Sequence, residues 1–382
     1  MGDGPQDLEG WFEAYFARAL KDLNPSSSVG MCSFRHYGNT VEEALGGNPR
    51  IEGDANPERV EMLKQMTYLR LRNISKSDPI RIFVKHEPHK LSKLEEERYR
   101  LISAVSLVDA MADRILFIWL SSAILDNAGT NSMAIGWSPM AGGYRWVMDT
   151  FRGGRGTRGL DMTAWDWTMP EWLILAIKDV IQELAVCAPE FWRNLVEARW
   201  ESLFRDAWFC FGDGSVVQQP GWGLMKSGCF LTIIMNTLSQ LVRHVLVCNS
   251  LGINWEIPRV FLGDDQTIED FPMFGEYERE TRRLGFLLKD SVVSVDRVHF
   301  AGFVMDREGA VPEYQDKHVY LITHTPDDQL AARLESYQVL YAHHSGFYEW
   351  VYWELARVSP ALVIKRWQAK DIFAGRRLLG QP

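Results

Sequence analysis

The sequence predicts an α+β fold in which several lobes are interleaved along the chain. Segments of helical periodicity and short strand-like runs alternate, without the regular βα rhythm of a doubly wound sheet. Two tight turns, Gly212-Asp213-Gly214 and Gly263-Asp264-Asp265, each separate two short apolar runs and so predict two β-hairpins. The chain has 382 residues, is 46% hydrophobic and contains no Pro- or Ser-rich linker. We therefore expect a large core surrounded by more than one lobe.

Charge and composition narrow the classes of function. A net charge of -9 argues against nonspecific binding to nucleic acid, so any contact with nucleic acid would have to come from local clusters of positive charge. One such cluster lies between Lys64 and Arg100, a segment that contains ten Lys or Arg and only five Asp or Glu. The five cysteines form no C-x-x-C pair, which favours reduced thiols and no structural metal. No apolar run approaches the roughly 20 residues of a membrane-spanning helix, so we expect a soluble chain without a transmembrane segment.

The first half of the chain supplies most of the predicted helices. Apolar residues from Leu8 to Ala19 recur at helical spacing, which fits either a helix on a membrane surface or one packed on the protein body. Packing is favoured because the acidic residues of this segment would be repelled by anionic lipid. Further on we expect helices at 107–125, 170–186 and 190–206, and a strand that ends at Asp161 after the Gly- and Arg-rich segment 151–159.

The second half contains the two hairpins and more helices. The first hairpin pairs the runs 207–211 and 215–218, and the second pairs 259–262 with 266–269. A long helix is predicted between them at 229–249. Beyond the second hairpin we expect a helix at 276–284, short strands as far as about Tyr320, and helices that start near Pro326, Phe347 and Pro360.

Four carboxylates stand out within this framework. Asp161 follows a predicted strand, Asp166 lies five residues later, and Asp264 and Asp265 occupy the turn of the second hairpin. Phosphoryl transfer by two divalent ions needs carboxylates from separate elements that converge on one point. Either pattern alone is common and could represent ordinary turn carboxylates.

The order of the motifs makes the interpretation more specific. Between the two acidic motifs lies a small-residue loop that opens into a helix, with Ser227-Gly228, then Thr232 and then Asn236. The succession D-x4-D, S-G-x3-T-x3-N and G-D-D resembles motifs A, B and C of the viral RNA-dependent RNA polymerases. Upstream, 82–102 resembles motif F, and downstream 284–289 and 298–303 resemble motif D and a divergent motif E. The residue sequences of motifs F and A are most similar to those of the sobemovirus and polerovirus enzymes.

The resemblance implies a right-hand polymerase with fingers, palm and thumb. Its palm would be an antiparallel sheet backed by helices. The implied boundaries are fingers at 1–159, palm at 160–186 with motif A, a fingers insertion at 187–226, palm at 227–305 with motifs B to E, and thumb at 306–382.

The resemblance also assigns roles to the acids and to one lysine. Asp161 and Asp264 would hold two Mg²⁺ ions, for which Mn²⁺ could substitute, and Asp265 would contact a metal less directly. Lys289 would protonate pyrophosphate as it leaves, although a solvated lysine is an equally good interpretation.

Other residues are implied in nucleotide binding. Asp166 and Asn236, with Ser227 and Thr232, would read the ribose 2′-hydroxyl, and Gly228 would let the backbone approach template or nucleotide closely. Helix capping is the alternative for the residues of the loop. The triphosphate would be neutralised by a basic set that could instead pair with Glu95, Glu96 and Glu97 on a surface helix. That set comprises Lys85, Lys93, Arg98 and Arg100.

The implied function is template-directed RNA synthesis from ribonucleoside triphosphates on a viral RNA. A polymerase-like RNA-binding scaffold without catalysis is the alternative. Expected partners are the RNA template and nascent duplex, NTPs, viral or host replication proteins and, by resemblance, a genome-linked protein primer; initiation could also be de novo. The expected location is the host cytoplasm, in membrane-associated replication complexes.

Overall fold

The structure is a computed structural model that describes residues 7–89, 91–289 and 291–378. Helices and strands are mixed along the chain, which confirms the predicted α+β class. In the described ranges the α-helices are α1 (Leu8–Asp22), α2 (Val41–Leu45), α3 (Pro57–Arg72), α4 (Leu91–Glu95), α5 (Leu107–Asp126), α6 (Gly143–Thr150), α7 (Trp165–Thr168), α8 (Glu171–Leu184), α9 (Glu190–Phe204), α10 (Thr232–Leu251), α11 (Phe274–Arg283), α12 (Gln315–Thr323), α13 (Asp327–Leu340), α14 (Ser345–Val358) and α15 (Arg366–Phe373).

The strands are short. They are β1 (Ile80–Val84), β2 (Leu101–Ala104), β3 (Thr157–Leu160), β4 (Trp208–Cys210), β5 (Val216–Gln218), β6 (Arg259–Leu262), β7 (Asp265–Glu269), β8 (Val293–Ser294), β9 (Val298–Phe300), β10 (Phe303–Met305) and β11 (Ala310–Pro312). Along the described part of the chain, no helix combines the length and the apolar character needed to cross a membrane.

The chain forms two compact units. The first comprises Met1–Asp126, Thr163–Ser239 and Gly285–Leu287, and the second comprises Asn127–Met162, Gln240–Leu284 and Leu288–Pro382. Each unit is therefore built from separated stretches of sequence, as expected when lobes are interleaved.

The first unit contains a four-stranded sheet and most of the early helices. Its strand order is β2-β1-β4-β5, in which β1 and β4 run parallel and the other neighbours antiparallel. Helix α1 packs on α5, because its apolar face is buried and the indole N–H of Trp11 donates to the carbonyl of Ile115 at 3.0 Å. The prediction that this helix packs on the protein body is confirmed.

A buried ion network connects three helices of this unit. The guanidinium of Arg199 on α9 donates to both oxygens of Asp113 on α5, with Nη2 at 2.9 Å from Oδ2. Asp109, one turn earlier on α5, accepts from Arg70 on α3. Both aspartates and Arg199 are at most 2% exposed. Removing one member would leave a buried charge without its partner, which typically costs about 3–5 kcal/mol.

The second unit contains the sheet that carries Asp161, Asp264 and Asp265. Its strand order is β6-β7-β3-β8 and every pairing in it is antiparallel. Helices α10 and α11 pack against it, because His244 of α10 contacts Phe261 of β6 and also hydrogen-bonds the hydroxyl of Tyr277 on α11 at 2.8 Å. The predicted antiparallel sheet with supporting helices is thus present. A three-stranded antiparallel sheet, β11-β10-β9, and helices α12 to α15 complete the unit.

Most predicted elements form close to their expected bounds, but two do not. The segment before Tyr320 was expected to be extended, whereas 315–323 forms helix α12. Val319, Tyr320 and Ile322 favour a strand locally. However, His318 hydrogen-bonds the hydroxyl of Tyr341, and Ile322, four residues later, belongs to the same buried cluster as Tyr341. This one-turn spacing is helical.

The helix expected near Pro360 begins later. Residues 360–362 form a short 3-10 turn, and α15 starts at Arg366. The side chain of Gln338 accepts the N–H of Ile364 at 3.0 Å, which holds the intervening chain in a non-helical conformation.

Candidate active site

The second predicted hairpin places two carboxylates at its tip. Leu262 pairs with Asp265, so the turn consists of Gly263 and Asp264 alone and Asp265 is the first residue of β7. Gly263 has φ +63°, a left-handed conformation that residues with a Cβ adopt at a cost. The expected three-residue turn is therefore one residue shorter, because Asp265 joins the ladder.

Strand register brings Asp161 to the same place. Strand β3 runs antiparallel to β7, and its last residue, Leu160, pairs with Gln266. One step further along both strands, Asp161 lies opposite Asp265. Both aspartates line one cleft of about 200 Å³, together with Thr267 and His299. Carboxylates that are 104 residues apart in sequence are thus neighbours at one edge of the sheet.

The cleft is strongly acidic. Although part of the Asp265 side chain reaches solvent, the surrounding protein and the charges of Asp264, Asp161 and Glu313 raise the pKa of Asp265 to about 6. Burial disfavours the charged carboxylate, and each neighbouring anion disfavours it further. The site therefore holds more negative charge than its own side chains neutralise.

Lys289 contacts the acid that ends β3. Its ammonium forms an ion pair with Oδ2 of Asp161, and its backbone N–H donates to the Asp161 carbonyl at 3.0 Å. Both side chains are more than half exposed, at 58% and 66%. The structure thus brings the predicted proton donor to the predicted metal ligand.

Three further residues line the cleft that the sequence did not single out as site residues. Nδ1 of His299 on β9 makes a short hydrogen bond with Oε1 of Glu313, and the carbonyl of His299 accepts from Thr267 at 2.6 Å. Tyr314 follows Glu313 and is 59% exposed. Residues 313 and 314 were predicted to belong to the thumb. They reach the cleft because the β10–β11 hairpin folds back, a tertiary event that leaves no local sequence signal.

A polar pair lies in the first unit. Asp166 is in the short helix α7, and Asn236 is on the second turn of α10. Nδ2 of Asn236 donates to Oδ1 of Asp166 at 3.3 Å. Asn236 is 5% exposed, and its Oδ1 has no hydrogen-bond partner among the described residues. A buried acceptor without a donor is costly, so this amide is suited to a hydroxyl brought by a ligand.

The loop residues predicted to join this pair make other hydrogen bonds. Oγ of Ser227 accepts the N–H of Ser103 on β2 at 3.1 Å. The hydroxyl of Thr232, at the start of α10, bonds the carbonyls of Lys226 and Cys229, each at 2.8 Å. A Cβ on Gly228 would come within 2.5 Å of the Ser103 carbonyl oxygen. The close approach at Gly228 is therefore to the chain's own strand β2.

The predicted basic set lies on and beside β1 and β2. Lys85 and Arg100 are joined by a backbone hydrogen bond of 2.8 Å, and both side chains pair with Glu87, at 3.2 and 2.7 Å. Arg98 pairs with Glu96, and Lys93 is half-buried on α4. Pairing with the acidic run 95–97 thus accounts for Arg98, whereas Lys85 and Arg100 share a different acid.

The chemistry of the acidic cleft fits a hard divalent cation. Its donors are carboxylate oxygens, which Mg²⁺ prefers, and their mutual repulsion at Asp265 is the electrostatic imbalance that a cation relieves. Across residues 7–89, 91–289 and 291–378, no three His, Cys, Asp or Glu side chains are gathered closely enough to enclose a metal ion. Asp161 is directed to Lys289. The residues present are of the type that binds Mg²⁺, but in this structure their side chains do not converge on one point.

Comparison with known proteins identifies the relatives of this chain. The sequence profile of the family described as viral RNA-dependent RNA polymerase matches residues 13–290, more than half of the chain. Replicase polyprotein P2AB of Cocksfoot mottle virus is 30% identical over 228 residues, which are 56% of this chain and 22% of that protein.

Two other relatives extend the comparison. Protein P2-P3 of Poinsettia latent virus is 24% identical over 344 residues, 80% of this chain and 28% of that protein. Protein P1-P2 of Potato leafroll virus is 27% identical over 240 residues, 53% of this chain and 21% of that protein. The chain therefore spans less than a third of the length of each of these three relatives.

Proposed function

The chain belongs to the family of viral RNA-dependent RNA polymerases, and we propose that it synthesises RNA from ribonucleoside triphosphates on a viral RNA template. The predicted resemblance to the sobemovirus and polerovirus enzymes is confirmed by the relatives. The observation that carries the proposal is the β3–β7 register, which puts Asp161 opposite Asp265 next to the turn that holds Asp264.

The acidic cleft is proposed to act through two Mg²⁺ ions. When bound, the ions would polarise the attacking 3′-hydroxyl and neutralise charge that develops on the triphosphate. Asp161 and Asp264 are the proposed principal ligands, with Asp265 in a less direct role, and Mn²⁺ is expected to substitute because it accepts the same oxygen donors. The rigid pairing of β3 with β7 would keep these ligands at fixed spacing during turnover.

Lys289 is proposed to protonate the leaving pyrophosphate. Its ammonium pairs with the proposed metal ligand Asp161, and the side chain is 58% exposed, so Nζ is free of the protein core and accessible to a phosphate bound in the cleft. Transfer of one proton from Nζ would leave a neutral amine, which solvent would reprotonate. General acid catalysis of this kind typically contributes about 10²- to 10⁴-fold to a rate.

The Asp166–Asn236 pair is proposed to select ribonucleotides. The unpartnered Oδ1 of Asn236 could accept the ribose 2′-hydroxyl, and a deoxynucleotide would leave that oxygen unpaired. Ser227, Thr232 and Gly228 would support this pair by fixing the loop. The basic set is proposed to neutralise the triphosphate, with Lys85 and Arg100 held by Glu87.

We also propose the right-hand architecture and the binding partners that the family resemblance implies. Palm at 160–186 and 227–305, fingers at 1–159 and 187–226, and thumb at 306–382 are proposed from the motif order. The RNA template, the nascent duplex, NTPs, replication proteins and a genome-linked protein primer are the proposed partners. Membrane-associated complexes in the host cytoplasm are the proposed location.

The proposal is tested by nucleotide incorporation on a primed RNA template with Mg²⁺. The chain should extend the primer with NTPs, prefer them to dNTPs, and lose extension in Asp264→Asn. Asp213→Asn is the matched control, because Asp213 also lies in the turn of a hairpin, and it should extend like the unchanged chain. RNA binding without extension in either Mg²⁺ or Mn²⁺ would instead support the scaffold alternative.

A further inference from the structure

A buried lysine stands immediately before the Ser227-Gly228 turn. Lys226 is 0% exposed, and its Nζ donates to the side-chain oxygen of Gln219, to the carbonyl of Leu224 at 2.9 Å and to the carbonyl of Gly223 at 3.4 Å. The rings of Phe204 and Phe209 lie 5.2 and 5.6 Å from the same nitrogen. None of these partners is a carboxylate.

Such an arrangement is energetically unfavourable for the lysine itself. Burial lowers the pKa of Lys226 to about 7, because an ammonium that leaves water loses hydration that neutral oxygens restore only in part. A methionine of similar volume would pack among Phe204 and Phe209 without that cost. A lysine here therefore calls for a reason other than core stability.

The buried ammonium of Lys226 connects two parts of one loop by hydrogen bonds to Gln219 and Leu224. The side-chain amide of Gln219 donates to the carbonyls of Phe204 and Gly221, both at 2.6 Å, and its oxygen receives Lys226. Leu224 has φ +56°, a left-handed conformation that costs a residue with a Cβ about 1–2 kcal/mol. Lys226 holds the carbonyl of that strained residue. We call residues 219–231 the lead-in loop of α10.

The backbone around Lys226 bonds one member of the polar pair and the helix that carries the other. The N–H of Met225 donates to the carbonyl of Asp166 at 2.7 Å. The carbonyl of Lys226 accepts from Thr232, on the helix that carries Asn236. The next residue, Ser227, bonds β2. Three successive residues of the lead-in loop thus connect α7, α10 and β2, and the lysine fixes the middle one.

We propose that Lys226 is a positioning residue, which shapes the lead-in loop so that Asp166 and Asn236 can recognise the ribose 2′-hydroxyl. The inference rests on the proposed function, and it adds a residue that contacts neither nucleotide nor metal. Lys226 acts through the Met225 N–H and its own carbonyl, so its loss should alter selection of the sugar more than the affinity for the triphosphate.

Replacement by methionine separates this role from packing. Lys226→Met keeps the apolar volume and removes the donor to Gln219 and Leu224. Removing one partner of a buried hydrogen bond leaves the other unsatisfied, so the loop should relax. We expect the preference for ATP over dATP to fall about tenfold, which corresponds to about 1.4 kcal/mol, mainly through a lower kcat for ATP and little change in KM.

A double variant and a matched control complete the design. Lys226→Met with Gln219→Leu removes both side chains of this hydrogen bond, but it also takes the Gln219 amide from the carbonyls of Phe204 and Gly221. It should therefore melt at a lower temperature than Lys226→Met, while its ATP preference should be no lower, because that preference follows the lysine and not overall stability. Lys178→Met is the control, because Lys178 is also a largely buried lysine of the first unit but pairs with Glu197 at 2.6 Å on the α8 and α9 helices. It should keep the full preference.

The experiment is single-nucleotide incorporation of ATP or dATP opposite a template U, with Mg²⁺, alongside hydrogen exchange of residues 225–229. The expected result is a similarly reduced preference in both Lys226 variants, with faster exchange of that segment, while both variants remain folded. Wild-type preference in folded variants would overturn the inference, and so would unfolding of both, because Lys226 would then serve core stability.

The outcomes also distinguish this inference from the proposed function. If the unchanged chain incorporates neither ATP nor dATP, the proposed function fails and nucleotide selection by Lys226 fails with it. If the unchanged chain is active and selective while Lys226→Met remains equally selective, the inference alone fails.

Discussion

Two hairpins of this protein share a Gly-Asp turn and differ in what surrounds them. In the β4–β5 hairpin every residue of β5 is exposed, and Asp213 bonds the N–H of Ser215 within its own turn at 2.9 Å. In the β6–β7 hairpin four of the five residues of β7 are buried, and Asp265 shares a cleft with Asp161, which directly follows a third strand. The same local signal therefore produces an isolated turn in one place and an acidic cleft in the other.

The pKa values express this difference. Hydrogen bonds from Ser215 lower the pKa of Asp213, whereas burial and neighbouring anions raise that of Asp265 to about 6. A turn carboxylate becomes a candidate metal ligand when a long-range strand pairing brings a second acid to it. The comparison can be tested by changing equivalent residues of the two hairpins.

The largest contrast is expected in RNA synthesis. Asp161→Asn removes the carboxylate that only the β6–β7 hairpin meets, and loss of a metal ligand should cost several kcal/mol of transition-state stabilisation, or about 10³-fold in rate. Asp213→Asn should change the rate less than about twofold, because Asp213 serves only its own turn. Single-turnover primer extension measures both. Equal losses in the two variants would remove the distinction between the hairpins.

A second contrast is expected in stability. Ile268 on β7 is 0% exposed and Val217 on β5 is 53% exposed. Ile268→Ala should lower the free energy of unfolding by about 2–5 kcal/mol, because it opens a cavity in the core. Val217→Ala should stay within about 0.5 kcal/mol. Chemical denaturation followed by circular dichroism measures both losses. Similar losses of unfolding free energy in the two variants would contradict the burial of β7 in the core.

A third contrast is expected between Lys289, which pairs with Asp161, and Ser215, which bonds Asp213. Lys289→Met should slow single-turnover extension about 100-fold, if its proton reaches the leaving pyrophosphate. Ser215→Ala, which removes the hydroxyl bonded to Asp213 at 2.7 Å, should leave the rate unchanged. Lys289→Arg provides the control for charge without a readily released proton. An unchanged rate in Lys289→Met would restrict Lys289 to its ion pair.

The smallest contrast is in the pH dependence of stability without metal. A carboxyl with a raised pKa binds its proton more readily folded than unfolded, so the folded state gains stability as pH falls through about 6. Asp265→Asn should therefore be stabilising at pH 7.5 by about 1 kcal/mol, allowing for solvent screening. This advantage should shrink as the pH falls through about 6 and vanish only below about pH 4, where the unfolded carboxyl is protonated as well.

The control for that experiment is Asp213→Asn. Its carboxyl has a lowered pKa, so its contribution to stability is present above the ordinary pKa of aspartate and is lost in acid. Asp213→Asn should be slightly destabilising at pH 7.5, with the opposite sign. Denaturant titrations in a chelating buffer at pH 5 and 7.5 measure both variants. The same sign for both would contradict the electrostatic account.

Local features of this fold were predictable from sequence. Helix α5 was expected at 107–125 and forms at 107–126, and both hairpins appear where their turn residues indicate. The reason is that periodicity and turn chemistry act over a few residues. Family resemblance then selected Asp161, Asp264 and Asp265 as candidate metal ligands, which no local pattern separates from Asp213.

Features that depend on distant contacts were not predictable. Glu313 and His299 come together only after β9, β10 and β11 have paired. The parallel pairing of β1 with β4 joins segments more than a hundred residues apart. Lys226 directly precedes the Ser227-Gly228 motif, yet its burial depends on Gln219 and two phenylalanine rings. Side chains that work through tertiary partners carry no periodic signal.

We propose that the cleft lined by Asp161 and Asp265, next to the turn that holds Asp264, binds divalent cations. Direct titration with Mn²⁺ followed by electron paramagnetic resonance tests this binding. The unchanged chain and Asp213→Asn should bind Mn²⁺ alike. The combined variant Asp161→Asn with Asp264→Asn should bind at least about tenfold more weakly, a loss of about 1.4 kcal/mol or more. Equally tight binding by all three proteins would contradict the assignment of the cleft as the metal site.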